Sequence, residues 1–103
     1  MPSDKPNLLL IQADQLKPQV LKSYGGTADT PYLDSLADEG VVFENAYCNC
    51  PLCAPSRFSM LAGMLPSRIG AYDNGAEYLA QIPTMAHYLR LAGYHACLSA
   101  DTV

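Results

Sequence analysis

The sequence predicts an α/β fold in which parallel strands carry helices on their faces, and two observations predict it. Short apolar runs over residues 7–13, 41–47 and 94–99 are typical of strands buried on both faces of a parallel sheet. The residues between these runs carry helical signals, so strands and helices alternate along the chain. At 103 residues, half of them hydrophobic, the chain is expected to form one small domain with its own core.

Two segments separate the first predicted strand from the second. Residues 16–24 are weakly helical, contain a proline and are ended by the glycine pair at 25–26. Thr30 is predicted to be the N-cap of a helix that begins with Pro31, and Gly40 is predicted to end that helix.

The second half of the chain is predicted to hold a loop, a helix, a second loop and a last helix. Residues 48–55 form the loop that carries reactive side chains, and 56–64 its helix. No periodicity is present over 66–81, which predicts a long surface loop. The last helix is predicted over 83–92, with His87 on its exposed face rather than in a catalytic role.

The segment from Cys53 to Arg57 carries the strongest chemical signal. Pro55 is expected at the first helical turn, which places the Cys53 thiol at or just before a helix N-terminus. Unpaired N–H groups and the positive end of the helix dipole make such a place an anion site. Arg57 adds a fixed positive charge with a planar fork that suits oxyanions. The segment therefore indicates chemistry on an anionic group such as sulfate or phosphate.

Asp14 directly follows the first predicted strand. In open α/β sheets, ligands gather at the carboxyl ends of strands, so this carboxylate is a candidate metal ligand. From its position alone, Asp14 is equally well explained as a cap of the turn that follows. Because Cys53 follows the second predicted strand, both side chains are expected at the same edge of the sheet.

The other three cysteines, Cys48, Cys50 and Cys97, are expected to be small buried thiols. A zinc site is disfavoured because the chain has no second Cys-x-x-Cys pair and neither histidine has ligand spacing to the cluster. The net charge of −4 argues against a nucleic-acid partner. No apolar run is long enough for a signal peptide or a membrane span, which favours a cytoplasmic protein.

The run Cys53-Ala54-Pro55-Ser56-Arg57, followed by Leu61-Ala62-Gly63, resembles the signature of the sulfatase family. The flanking runs over 44–52 and 66–74 are similar to those of choline-sulfatase-like members, and the resemblance extends from about residue 6 to residue 99. It implies a partial alkaline-phosphatase-like fold, with residues 1–103 as the N-terminal portion of a sulfatase domain.

The resemblance also implies a chemistry for the candidate site. In this family the signature cysteine is oxidised to formylglycine, so Cys53 is the expected target of a formylglycine-generating enzyme. The hydrated aldehyde attacks a sulfate ester such as choline sulfate, and Arg57 stabilises the charge. Asp14 and the modified residue 53 are the expected ligands of a divalent cation, with Ca²⁺ favoured over Mg²⁺ or Mn²⁺.

Two alternatives remain open beside a sulfuric ester hydrolase. One is a phosphonate or phosphate monoester hydrolase that uses the same nucleophile, and the other is a non-catalytic relic or interaction module. Asp101 stands where similar sequences have a lysine that contacts sulfate, and their following histidine is missing. A truncated chain or a frameshift at Ala100 is therefore expected, and the open edges of its strands favour association into oligomers.

Overall fold

The structure, a computed structural model, describes residues 4–99. It divides into two compact units, one up to Ala46 and one from Tyr47 onward. The helices are α1 (Pro31–Glu39), α2 (Cys53–Ala62), α3 (Pro66–Ile69) and α4 (Met85–Leu91), and two short 3-10 turns span Pro18–Val20 and Lys22–Tyr24.

None of the three predicted strands is formed within residues 4–99. Their apolar side chains are exposed instead, with Leu9 at 86%, Tyr47 at 92% and Leu98 at 92%. A strand is stable only when neighbouring strands pair with its N–H and C=O groups, and the described residues supply no such ladder. The strand predictions are therefore wrong for this structure. The apolar pattern predicted buried strands, and a buried strand requires pairing segments that residues 4–99 do not supply.

In the first unit, residues 18–24 form 3-10 turns rather than the predicted weak helix. A glycine is needed just after them, because a Cβ on Gly26 would lie 2.1 Å from the carbonyl carbon of Val20. The Gly26 N–H donates to the Leu21 carbonyl at 2.8 Å, and Gly25 has a φ of 84°, in the left-handed region. The predicted glycine break is confirmed.

Helix α1 has the predicted boundaries, with Thr30 before it and Gly40 after it. The Thr30 hydroxyl donates to Asp34 Oδ1 at 3.3 Å instead of capping a backbone N–H. Asp34 also lies 3.7 Å from Lys22 Nζ, which joins the second 3-10 turn to the helix. The leucines of α1 are not covered by other residues, since Leu33 is 46% and Leu36 is 64% exposed.

In the second unit, α2 packs on α3, a short helix within the segment that was predicted to be a loop. Pro66 begins α3, and Gly70 ends it with a φ of 79°. Ile69 and Ala71 are buried here, and so is Pro55 of α2. This small core fixes the helix that carries the candidate site.

Helix α4 begins where a threonine and a histidine cap each other. The Thr84 N–H donates to His87 Nδ1 at 3.0 Å, and the His87 N–H donates to the Thr84 carbonyl at 2.9 Å. His87 is exposed, as predicted, and its ring serves the start of the helix. Within residues 4–99, no helix has both the length and the apolar character needed to cross a membrane.

Candidate active site

Cys53 is the first residue of α2, and its side chain is exposed. The helix begins three residues earlier than predicted, after Leu52 in an extended conformation, and Pro55 stands third in it, within the first turn as predicted. Proline is tolerated there because the N–H it lacks has no partner within the first turn. The first bond of the helix runs from the Ser56 N–H to the Leu52 carbonyl, at 3.0 Å. The thiol is therefore on the helix itself.

Arg57 lies four residues after Cys53 on the same helix, and it is exposed as well. Residues four apart on a helix lie one above the other on the same face. An anion bound beside Cys53 would therefore meet both the helix N-terminus and the guanidinium charge of Arg57. That these two side chains act together on an anion stays a prediction.

A residue from a distant loop stabilises the first turn of α2. The Ala54 N–H donates to Asn74 Oδ1 at 3.1 Å, across 20 residues of sequence. The neighbouring Asp73 holds the loop by accepting a hydrogen bond from the Gly75 N–H at 2.9 Å. The sequence predicts only a surface loop for this segment. The Asp-Asn-Gly run predicts a turn, but it does not show that Asn74 accepts a hydrogen bond from α2.

Ser59 is the one polar residue of the described chain that is buried, and it ties the loop before α2 to the helix. Its hydroxyl accepts a hydrogen bond from Asn49 Nδ2 at 3.0 Å and donates to the Met64 carbonyl. The hydroxyl thus serves as both a hydrogen-bond acceptor and a hydrogen-bond donor. Nothing in the sequence pattern singled out this serine, because its partners are joined only by the fold.

Replacing Ser59 with alanine is expected to lower the free energy of unfolding by about 1–3 kcal/mol, because two hydrogen bonds of a buried hydroxyl, to the Asn49 amide and the Met64 carbonyl, are lost. Urea denaturation of the full chain measures this change. Ser56→Ala is the matched control, since Ser56 lies on the same helix and is less buried than Ser59. Equal losses in the two variants would contradict the role given to Ser59.

The loop that carries Asn74 is also packed against α2 through aromatic rings. Phe58 of α2 and Tyr78 meet edge to face, with their centroids 5.1 Å apart. The Tyr78 hydroxyl is buried and has no hydrogen-bond partner within the described chain. Burial raises the pKa of Tyr78, and the nearby Tyr88 raises it further.

The expectation that three of the cysteines are buried is wrong. Cys48 and Cys97 are exposed, Cys50 is half-buried, and all four cysteines of the chain are free. Within residues 4–99, no three His, Cys, Asp or Glu side chains are grouped to hold a metal ion, and the exclusion of a zinc site stays a prediction.

Asp14 is exposed in a turn of the first unit, just before Gln15, which has a φ of 48°. Its predicted proximity to Cys53 stays a prediction, since the two residues belong to different compact units. Residues 4–99 do not group enough ligands to form a complete metal site. Asp14 can offer such a site one carboxylate.

Comparison with known proteins places this signature in its family. The Sulfatase family profile matches residues 6–100, and the chain belongs to the sulfatase family. This confirms the resemblance drawn from the residues around Cys53. Family membership implies an alkaline-phosphatase-like α/β fold.

Three relatives show how far the similarity extends. A choline-sulfatase of Rhizobium meliloti is 49% identical over 96% of the chain and 20% of its own length. Two sulfatases of Bacteroides thetaiotaomicron follow. An N-acetylgalactosamine-6-O-sulfatase is 42% identical (89% of the chain, 19% of the relative), and a Delta 4,5-hexuronate-2-O-sulfatase is 37% identical (90% and 21%). The chain thus spans about a fifth of the length of these relatives. No solved structure matches it.

Proposed function

We propose that this chain is the N-terminal, nucleophile-bearing portion of a sulfuric ester hydrolase that acts on a small sulfate ester such as choline sulfate. The observation that carries this proposal is an exposed Cys53 at the start of α2, with Arg57 one turn along, inside a family match over residues 6–100. Its relatives are sulfatases named for several substrates, and the choline-sulfatase is 49% identical to this chain.

Two residues of α2 and one residue of a distant loop have distinct roles in the proposed reaction. After conversion to formylglycine, residue 53 supplies the hydroxyl that attacks sulfur and displaces the alcohol. Arg57 provides positive charge where negative charge develops on the sulfate oxygens. Asn74, through its hydrogen bond to the Ala54 N–H, keeps the first helical turn in place. Exposure of Cys53 leaves it accessible to a formylglycine-generating enzyme.

This chain is proposed to supply only some of the ligands of the family's divalent cation. Asp14 is proposed as one ligand and residue 53 as another, and oxygen ligands of this kind suit Ca²⁺, Mg²⁺ or Mn²⁺. Residues 4–99 do not complete a metal site, so the remaining ligands are proposed to come from outside these residues.

A chimera tests the proposed activity. Residues 1–99 replace the matching segment of the Rhizobium meliloti relative, and the product is matured by a formylglycine-generating enzyme. The expected result is hydrolysis of choline sulfate and nitrophenyl sulfate in preference to nitrophenyl phosphate and a phosphonate monoester. A preference for the phosphorus esters would favour the related hydrolase instead. A folded and matured chimera without activity on any of these esters would indicate a non-catalytic chain.

A further inference from the structure

Three cysteines lie within residues 48–53, and the proposed chemistry uses only Cys53. Cys53 is exposed at the start of α2, Cys50 is half-buried, and Cys48 is exposed beside an open cleft. All of them are free thiols. Two neighbouring thiols create a competing reaction for the one that must be modified, namely disulfide formation.

Cys50 and Cys53 have the Cys-x-x-Cys spacing of reversible dithiol pairs. Three residue steps span roughly 10 Å when fully extended. The chain changes direction at Pro51 and Leu52, although Leu52 itself has extended φ and ψ angles, so the span is shorter than that of a fully extended segment. A disulfide needs Cα atoms roughly 4.4–6.8 Å apart, which a segment bent at both positions can adopt.

The anchor before this segment favours Cys50 over Cys48 as the partner. The hydrogen bond from Asn49 to Ser59 holds the residue just before Cys50 against α2, so the chain turns back along the helix to reach Cys53. Cys48 lies on the other side of this anchor, in a cleft beside the middle of the helix. Pairing of Cys48 with Cys53 would have to displace the Asn49 contact.

We propose that Cys50 and Cys53 form a reversible disulfide under oxidising conditions, which withdraws Cys53 from conversion to formylglycine. One thiolate attacks a low-molecular-weight disulfide such as oxidised glutathione and releases one glutathione thiolate. The second cysteine thiolate then attacks the mixed disulfide and releases the other. Each cysteine gives up one proton and one electron, and the oxidant is reduced to two thiols.

The disulfide would close a small ring of four residues, from Cys50 to Cys53. A bond of this kind is suited to a reversible switch and stabilises the fold little. A disulfide that closes so short a loop removes little entropy from the unfolded chain, so it adds little stability. Exposed disulfides of this kind are readily reduced. A sulfur in a disulfide is not a thiol, so Cys53 cannot be oxidised to an aldehyde until the bond is reduced. This last consequence rests on the proposed function, whereas the disulfide itself does not.

The disulfide is tested on the full chain without any maturation step. The protein is equilibrated in glutathione buffers of increasing oxidation and blocked with N-ethylmaleimide. A Glu-specific protease then releases residues 45–77, whose cysteines are Cys48, Cys50 and Cys53. Mass spectrometry is expected to show an alkylated Cys48 and an internal disulfide between the other two. The bond should persist in Cys48→Ser and disappear in Cys50→Ser. Pairing through Cys48, or glutathione adducts alone, would overturn the proposal.

The effect on maturation is tested separately. The chain is pre-oxidised or pre-reduced, freed of glutathione and presented to a formylglycine-generating enzyme. Pre-oxidation is expected to slow conversion of Cys53 by about tenfold or more in the natural chain, and to change it little in Cys50→Ser. Equal rates for the two forms of the natural chain would overturn the switch. No conversion in either form would contradict the proposed function, and the disulfide test would still decide the pairing.

Discussion

Replacing Cys53 with alanine in the matured chimera is expected to lower kcat/KM for choline sulfate by about a thousandfold or more, because the reacting group itself is lost. No other side chain of α2 offers a nucleophile in the same position, and the cysteine stands first in the helix. The measurement is turnover per mole of folded protein, with folding checked by circular dichroism.

Two matched variants make this result specific. Cys48→Ala and Cys97→Ala remove exposed thiols that have no proposed role in the reaction, so each is expected to leave kcat/KM within about twofold. A comparable loss in either of these variants, or substantial activity in Cys53→Ala, would contradict the assignment of the nucleophile.

The 103-residue chain by itself is expected to show no turnover of either sulfate ester, even after full conversion of Cys53. A hard cation of the expected kind needs about six or more oxygen ligands. Residues 4–99 contain no group of three acidic, histidine or cysteine side chains that could provide them. Water would have to fill most positions, which gives weak binding and poor orientation of the substrate.

The control for this prediction is the chimera assayed beside the short chain at equal aldehyde content. Changing Ala100 to glycine and Asp101 to lysine in the short chain is expected to leave it inactive, because one restored charge does not replace missing metal ligands. These two positions lie outside the described residues. Turnover by the short chain clearly above its Cys53→Ala blank would show that the metal argument is wrong.

The helices were predictable wherever a local signal specified them. Pro31 and Gly40 marked both ends of α1, because a first-turn proline and a terminal glycine act within a few residues, whereas Thr30 occupies the N-cap position without a side-chain hydrogen bond to a backbone N–H. The start of α2 was placed too late because Pro55 can occupy any position of the first turn. Helix α3 was missed, since a helix of four residues is too short to show a period.

The strands, and the hydrogen bonds that hold the candidate site in place, could not be predicted from local sequence signals. Strand formation depends on partners that are distant in sequence, so the apolar runs around Leu9 and Leu98 indicate a tendency that residues 4–99 do not satisfy. The hydrogen bonds of Asn74 to Ala54 and of Asn49 to Ser59 join residues 20 and 10 apart. Only the fold shows such contacts, whereas the reactive segment itself was evident from its residue types.

Cys53 is proposed to be the residue that maturation converts into the reacting group. The full chain is co-expressed with a formylglycine-generating enzyme, and the peptide of residues 45–77 is examined by mass spectrometry. We expect an aldehyde at residue 53 alone, less conversion in Arg57→Ala, and unchanged conversion in the control Arg68→Ala, which alters an arginine of α3. Conversion of Cys48 or Cys50 with Cys53 left as a thiol would contradict the claim.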